Sequence, residues 1–231
     1  MAKLLFLDLD GVLVKIKSSW GYMHRYFGSS QDGIFERYFN LYSEGKISYQ
    51  EWMKADIEHL LRRVGRPIYR KELEEAFSKV EIYEHSYEIK DLAIEGGAHI
   101  AIVSSGVNIL ASRVARELSI RNAYSNILIF DEEEAIIPGG IPVVEPLKKD
   151  RVVRRIMRIL GVDQKDTIYV GDSIWDLTAF KEVNIPILFL DNEQRDEDLL
   201  REASKYGVSR DKLAIARDPE ELLRILSRVI K

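Results

Sequence analysis

Residues 3–13 of the chain read KLLFLDLDGVL, an apolar run that passes directly into two acids and a glycine. We interpret the apolar part, Leu4–Leu7, as a strand buried on both faces, as in a parallel sheet. Side chains of an extended chain alternate with period 2, so Asp8 and Asp10 are predicted to share one face. Two carboxylates so close together repel each other, so either one of them stays protonated or a cation lies between them. The alternative is a strand end with two solvated acids.

The composition of the 231 residues is that of a soluble globular protein, with 46% hydrophobic and 31% charged residues. No apolar stretch approaches the roughly 18 residues that a membrane span needs. The first apolar run meets acids after four residues, so we expect neither a signal peptide nor membrane association. The net charge of −4 argues against a general nucleic-acid binder. The absence of cysteine excludes disulfides and thiolate metal sites, and we predict a cytoplasmic protein.

Residues 18–80 carry helical periodicity and no strand pattern, which predicts a small all-α segment. Helices are predicted over about 34–42, from a capping box at Ser48 to Gly65, and over 69–80. We place a helical domain at residues 15–85 and a core domain at residues 1–14 and 86–231. The many aromatic residues of the segment are interpreted mainly as its own core, with substrate stacking as the alternative.

From residue 85 onward, apolar strands alternate with amphipathic helices, which predicts a doubly wound parallel sheet and an α/β fold. The further buried strands are predicted at residues 99–103, 167–170, 187–190 and 213–216. Residues 127–137 resemble a hairpin or flap. Residues 191–206 are predicted to form a loop and a helix.

Three of the predicted strands end in polar side chains: Asp8 with Asp10, Ser104 with Ser105, and Asp172. A parallel sheet gathers the carboxyl ends of its strands at one edge, where ligands bind. Several carboxylates without cysteine or histidine favour a hard cation with oxygen ligands, Mg²⁺ first. The backbone N–H groups at Gly11 and at Ser105-Gly106, where we expect a helix to open, are predicted to bind a phosphate.

Carboxylates beside a phosphate site indicate phosphoryl transfer through an aspartyl-phosphate. The attack brings an anion to an anion, and two unit charges ~4 Å apart cost about 4 kcal/mol at an effective dielectric of 20. A metal ion and a lysine offset that repulsion.

Four motifs in this order resemble those of the haloacid dehalogenase-like superfamily: DLDGVL at residues 8–13, the apolar run into Ser104, Lys149, and GDSIWD at residues 171–176. The resemblance implies a Rossmann-like core with a helical cap between the first two motifs. Within the superfamily the chain is most similar to phosphoserine phosphatases, through Ser104-Ser105-Gly106 and the turn Glu44-Gly45-Lys46. The spacing from Lys149 to Gly171 is also similar, and it favours Lys149 over Lys148 as the motif lysine.

The resemblance implies roles for the two acids of the first motif. Asp8 is the nucleophile and a Mg²⁺ ligand. Asp10 binds Mg²⁺ through its backbone carbonyl, and its side chain protonates the leaving group and then takes a proton from water.

The resemblance also implies roles for the other motifs. Ser104 hydrogen-bonds the phosphoryl oxygens, and Lys149 stabilises the charge on nucleophile and phosphate. Asp172 is a metal ligand, and Asp176 orients Lys149 or a metal-bound water. The phosphate site then comprises Gly11, Ser104, Ser105, Gly106 and Lys149.

Two positions depart from the phosphoserine-specific pattern. Lys17 stands where those enzymes place an acid for the substrate ammonium, and Asp56 stands where they place an arginine for the substrate carboxylate. A pocket with these charges repels both ends of the serine moiety. If both side chains instead face solvent, they have no bearing on specificity.

These observations predict a Mg²⁺-dependent phosphatase that hydrolyses a small phosphate monoester. Asp10 argues against dehalogenation, because cleavage of a carbon–halogen bond needs no acid for the leaving group. A phosphotransferase or phosphomutase on the same scaffold is the first alternative, and a non-catalytic ligand-binding protein is the second.

Overall fold

The computed structural model describes residues 3–191 and 196–230 and contains one six-stranded parallel sheet. Its strands are β1 (Leu4–Leu7), β2 (His99–Val107), β3 (Asn122–Asn126), β4 (Thr167–Gly171), β5 (Ile185–Phe189) and β6 (Ala214–Ala216). The order across the sheet is β3-β2-β1-β4-β5-β6, and every neighbouring pair is parallel. This confirms the predicted doubly wound α/β fold.

Helices connect the strands. They are α1 (Ser19–Tyr26), α2 (Ile34–Ser43), α3 (Tyr49–Val64), α4 (Arg70–Ser78), α5 (Glu84–Glu95), α6 (Asn108–Glu117), α7 (Lys149–Leu160), α8 (Leu177–Phe180), α9 (Asp196–Lys205) and α10 (Pro219–Ile230). None of those within the described ranges is both long and apolar enough to cross a bilayer.

Strand β1 lies at the centre of the sheet and is buried on both faces. Phe6 pairs with Ala101 of β2 on one side and with Tyr169 of β4 on the other. Leu5 and Leu7 belong to one apolar cluster, whereas Leu4 and Phe6 belong to the cluster on the opposite face. The period-2 alternation therefore supplies both layers of the core. The strand order reverses between β1 and β4, so a crevice opens at their carboxyl ends.

Helices α1 to α4 lie between β1 and β2 in the chain, as predicted for the helical segment. The capping box of α3 is present: Glu51 N–H donates to Ser48 Oγ at 3.2 Å, and Ser48 N–H donates to Glu51 Oε2 at 2.6 Å. Leu60 of α3 packs in the same apolar cluster as Leu7, so the segment shares a core with the sheet. The boundaries at residues 15 and 85 stay a prediction.

Strand β2 differs from its predicted form. It does not end at Val103 but continues through Ser104, Ser105 and Gly106, and α6 begins only at Asn108. The pairing of β2 with β3 shifts register between Val103 and Val107, so the chain stays extended past an irregularity. The expected helix opening at Ser105-Gly106 is therefore wrong.

Three connecting regions complete the comparison with the sequence. Strand β3 was not predicted, because its sequence, NAYSN, has no apolar run. Residues 127–141 form isolated antiparallel bridges, Ile127 with Ile141 and Phe130 with Ile136, consistent with the predicted hairpin or flap. Helix α9 confirms the predicted helix, whereas residues 192–195 of the predicted loop lie outside the described residues.

Candidate active site

Three carboxylates meet at the carboxyl edge of β1 and β4. One oxygen each of Asp8, Asp172 and Asp176 lies within 4.8 Å of the others. Asp8 directly follows β1, and its N–H donates to the Val170 carbonyl of β4 at 2.9 Å. Asp172 directly follows β4. Parallel pairing of the two strands therefore brings together acids that are 164 positions apart (172 − 8) in the sequence.

Lys149 connects two of these acids. Its Nζ lies 2.8 Å from Asp8 Oδ2 and 2.7 Å from Asp176 Oδ1, and the lysine side chain is 1% exposed. It is the first residue of α7, whereas the preceding Lys148 pairs with Glu145 at 2.6 Å and is partly exposed. The buried position agrees with the choice of Lys149 from motif spacing.

Asp176 is fully engaged by the protein. Its Oδ1 accepts hydrogen bonds from Lys149 Nζ and, at 2.9 Å, from the Tyr169 hydroxyl. Its Oδ2 accepts from the backbone N–H groups of Asp172 and Ser173 at 3.2 Å, and from Ser173 Oγ at 3.1 Å. These bonds fix the carboxylate that pairs with Lys149, and the role of Asp176 in orienting the lysine or a metal-bound water stays a prediction.

The carboxylate of Asp10 is not part of the acid cluster and is held instead by Ser19. Asp10 Oδ2 accepts from the N–H and the hydroxyl of Ser19, at 2.7 and 2.8 Å. Its Oδ1 is buried and has no hydrogen-bond partner among the described residues. Asp8 and Asp10 line the same cavity, but the carboxylate that approaches Asp8 belongs to Asp172 or Asp176 rather than to Asp10.

The residues predicted to bind phosphate surround the acids, with two differences in detail. Ser104, Ser105 and Gly106 line the cavity, and Ser105 Oγ is buried without a partner among the described residues. The N–H of Gly106 donates to Ser104 Oγ at 3.0 Å, and that of Gly11 donates to the Val14 carbonyl at 3.2 Å. Neither N–H is the free donor that the sequence suggested.

Glycine is required at position 11 for another reason. Gly11 has φ +76°, and a Cβ there would lie 1.9 Å from Asp172 Oδ2. A side chain at position 11 would therefore displace the acid of β4.

Burial and the repulsion of neighbouring carboxylates raise the pKa values of Asp8 and Asp172. Burial raises the pKa of Asp8 well above its usual value; Asp176 and Asp172 add to the shift, and Lys149 opposes it. Burial also raises the pKa of Asp172, to about 7, although Lys17 lowers it. Burial lowers the pKa of Lys149, but Asp176 and Asp8 outweigh that effect and keep the pKa above its ordinary value. The lysine is therefore a permanent cation in the site.

The same acids are suited to a metal ion. Carboxylate oxygens are the ligands that Mg²⁺ prefers, and a cation favours their charged forms. Asp8 and Asp172 line the cavity, whereas both oxygens of Asp176 already hold hydrogen bonds. The donor set of the cluster therefore fits a divalent metal ion.

The two predicted specificity residues line the cavity and have partners. Lys17 Nζ lies 3.1 Å from Asp172 Oδ2, at the acid cluster. Asp56 is 3% exposed; its Oδ1 accepts from Gln31 Nε2 at 2.8 Å, and its Oδ2 lies 3.0 Å from His24 Nε2. Asp56 is buried against the cavity, whereas the Lys17 side chain lines the cavity and is also 46% exposed.

The sequence reasoning did not find Ser19, Tyr169, Gln31 and Trp175. Ser19 and Tyr169 hold the two acids Asp10 and Asp176, and Gln31 and Trp175 line the cavity. The only signal was local: Ser19 follows the helix-capping Ser18, and Trp175 lies inside the last motif.

Known proteins resemble the chain in sequence and fold. It is 27% identical over 147 residues to the phosphoserine phosphatase of Methanocaldococcus jannaschii, covering 63% of this chain and 67% of that protein. It is 25% identical over 171 residues to the phosphoserine phosphatase of Archaeoglobus fulgidus, covering 73% of this chain but only 46% of that protein. The resemblance to phosphoserine phosphatases is thus confirmed.

A solved structure described as a phospho-aspartyl intermediate analogue of phosphoserine phosphatase has the same fold, with a TM-score of 0.73 and 22% identity over 97% of this chain and 98% of that one. The family of haloacid dehalogenase-like hydrolases matches residues 2–184, which include all four motifs. The chain belongs to the haloacid dehalogenase-like hydrolases.

Proposed function

We propose that this hydrolase is a Mg²⁺-dependent phosphatase that cleaves a small phosphate monoester through an aspartyl-phosphate on Asp8. The observation that carries the proposal is the arrangement of Asp8, Lys149 and Asp10. Asp8 lines the cavity and is paired with the buried Lys149, and Asp10 lines the same cavity with one carboxyl oxygen that has no hydrogen-bond partner among the described residues.

In the first half-reaction an oxygen of Asp8 attacks phosphorus, and the bond from phosphorus to the ester oxygen breaks. Asp10 donates its proton to the departing alkoxide, which leaves as the alcohol. Burial raises the pKa of Asp10, while the hydrogen bonds from Ser19 lower it. The raised pKa favours the protonated carboxyl that this step needs.

In the second half-reaction water attacks phosphorus and the bond to Asp8 breaks. Asp10, now a carboxylate, takes the proton of that water, and inorganic phosphate leaves. Lys149 offsets the charge on Asp8 and the phosphoryl group in both steps, held in place by Asp176. Ser104 and Ser105 bind the phosphoryl oxygens through hydroxyl or backbone donors.

The carboxylates of Asp8 and Asp172, with the backbone carbonyl of Asp10, would hold the Mg²⁺. When bound, the ion supplies Lewis-acid stabilisation of charge on the phosphoryl oxygens. Asp176 is not proposed as a ligand, because both of its oxygens hold the lysine, the Tyr169 hydroxyl and the loop after β4. The phosphatase names of the relatives from M. jannaschii and A. fulgidus support the reaction class.

The test is release of inorganic phosphate from p-nitrophenyl phosphate, with and without Mg²⁺, by the wild type and by Asp8→Asn. Asp163→Asn is the matched control, because that side chain is 76% exposed. We expect release that depends on Mg²⁺ and on Asp8 but not on Asp163. Activity that survives in Asp8→Asn would rule out the covalent route. Transfer of the phosphoryl group to an added sugar in place of water would identify a phosphotransferase.

A further inference from the structure

The cavity above the acids is larger than a phosphoryl group requires. Its volume is about 310 Å³, at the lower end of cavities that enclose drug-sized ligands. Asp8, Lys149 and the serines of β2 form its floor. The remainder must accommodate the leaving group.

Aromatic rings form the wall of that remaining space: Trp20, Phe35, Tyr49, Trp52 and Trp175 all line the cavity. Four come from the helical segment, and Trp175 comes from the loop after β4. A leaving group inside the cavity therefore contacts rings contributed by both parts of the molecule.

Four of the rings form a continuous arc. The Tyr49 hydroxyl donates to the Ser105 carbonyl at 3.3 Å, which places one end of the arc beside the proposed phosphate site. Tyr49 contacts Trp52 edge to face at 5.6 Å, and Trp52 contacts Phe35 at 5.6 Å. Phe35 meets Trp175 edge to face at 6.4 Å. The other end of the arc is close to the acid cluster, because Trp175 lies between Asp172 and Asp176 in the sequence.

Asp56 is the carboxylate that lines the cavity on the side of the aromatic wall. Both oxygens of the Asp56 carboxylate already have partners, Gln31 and His24, and the residue is 3% exposed. Asp56 therefore repels a substrate carboxylate without presenting an exposed oxygen to a substrate ammonium group. An uncharged leaving group avoids that repulsion.

Lys17 pairs with the acid cluster. Its Nζ lies 3.1 Å from Asp172 Oδ2, and Asp172 is one of the proposed metal ligands. Among the described residues that line the cavity, Lys17 and Lys149 are the only cations, and both contact the acid cluster. The wall thus offers no cation to a carboxylate of the leaving group.

From this arrangement we infer that the leaving group is an uncharged aromatic ring carried on an alcohol, and that phosphoserine is a poor substrate. The inference rests on the proposed phosphatase function and names its substrate class. Aromatic side chains bind a planar ring by stacked and edge-to-face contact, and they bury its apolar surface.

Four esters of primary alcohols distinguish the effect of an aromatic ring in the leaving group from the effect of a charge there. They are benzyl phosphate, ethyl phosphate, O-phosphoserine and phosphoethanolamine. We expect kcat/KM with Mg²⁺ for benzyl phosphate to exceed that for ethyl phosphate by at least about tenfold. Phosphoserine should be the poorest of the four. Phosphoserine or phosphoethanolamine turned over as well as benzyl phosphate would overturn the inference.

A binding measurement keeps this inference separate from the proposed function. Benzylphosphonate and ethylphosphonate lack the cleavable ester oxygen. Calorimetric titration of the Mg²⁺-loaded protein with them therefore measures binding affinity without hydrolysis. Tighter binding of benzylphosphonate supports the ring site even if no ester is hydrolysed, and equal affinities would overturn it. Absence of hydrolysis of all four esters and of p-nitrophenyl phosphate would count against the phosphatase function instead.

Two phenylalanines on α2 provide a matched pair of variants. Phe35 lines the cavity and is 37% exposed, whereas Phe39 packs on Trp52 and Trp175 without lining the cavity. Phe35→Leu should reduce the ratio of benzyl to ethyl phosphate kcat/KM by about threefold or more, and Phe39→Leu should leave it within about twofold. An equal change in both variants would mean that the rings act only through packing, which would contradict the inference.

Discussion

The two ends of the cavity are built in different ways. The floor consists of Asp8 after β1, the serines of β2, and Lys149 at the start of α7, whose Nζ pairs with Asp8 and Asp176. The wall consists of aromatic rings on α1, α2 and α3, together with Trp175 of the loop after β4. The floor therefore carries residues for a reaction that a whole family shares, whereas the aromatic wall is suited to bind one kind of leaving group. Substitutions at the two ends should accordingly change different quantities.

The largest effect is expected at the nucleophile of the floor. Asp8→Asn should lower kcat by at least about a thousandfold, because the amide cannot form the covalent bond to phosphorus. The measurement is phosphate release from an ester with Mg²⁺ at saturation. If Asp8→Asn retained a tenth of the wild-type rate, Asp8 would be excluded as the nucleophile.

The next effect is expected at Lys149. Lys149→Met should lower kcat/KM by at least about a hundredfold and destabilise the fold by about 3–5 kcal/mol, because Asp8 and Asp176 would remain buried without their cation. Lys148→Met is the matched control; its partly exposed pair with Glu145 contributes at most about 1 kcal/mol. Urea unfolding and steady-state kinetics measure both quantities, and equal losses in the two variants would contradict the assignment.

Metal binding should depend on pH through Asp172. Burial raises its pKa to about 7, so protons compete with the cation near neutrality. Mg²⁺ affinity should fall by about tenfold or more for each pH unit below that pKa, because protons also compete for Asp8, whose pKa burial raises as well. Titration calorimetry between about pH 5.5 and 8 tests this.

Lys17 provides a check on the sign of that dependence. Lys17 lowers the pKa of Asp172, so Lys17→Met should move the transition to higher pH. Unchanged affinity across the range, or a shift of the transition to lower pH, would contradict the role of Asp172.

A smaller effect is expected from loss of the buried Tyr169 hydroxyl, which donates to the same Asp176 oxygen as Lys149. Tyr169→Phe removes the 2.9 Å hydrogen bond to Asp176 and should cost about 1 kcal/mol of stability. It should lower kcat by about three- to tenfold with little change in KM, since Lys149 loses part of its support. Tyr124→Phe, in the edge strand β3, is the control. A change confined to KM would argue against a positioning role.

The smallest effect is expected at the wall. Asp56→Asn removes the charge that repels a carboxylate, so kcat/KM for phosphoserine should rise about threefold while that for benzyl phosphate stays unchanged. Glu58→Gln on the same helix is the control, because that side chain is about half exposed. An equal gain for both substrates would show that Asp56 does not act on the leaving group.

The same contrast explains what the sequence could predict. Asp8 and Asp172 follow apolar strands, and the parallel rule brings such positions together, so the floor could be predicted. Lys149 followed from its spacing to Gly171. The hydrogen bonds from Ser19 to Asp10 and from Tyr169 to Asp176 could not, because they depend on how helices and strands pack.

The failures have physical causes as well. Strand β3, with the sequence NAYSN, is paired on one side only, so it needs no apolar run. Ser104-Ser105-Gly106 has the composition of a turn but stays extended, held by Ser104 Oγ and by donors to the Ser105 carbonyl such as Asn126 Nδ2 at 2.8 Å. Whether aromatic residues form a core or a binding wall could not be predicted, because here Tyr49 and Trp52 do both.

The most direct test of the central claim is to trap the phosphoryl group on the protein during turnover. The Mg²⁺-loaded enzyme is mixed with excess benzyl phosphate, quenched in acid within one turnover, digested and examined by peptide mass spectrometry. We predict a phosphoryl group on Asp8, and none in Asp8→Asn treated in the same way. Turnover without a phosphorylated protein, or phosphorylation at a residue other than Asp8, would contradict the account.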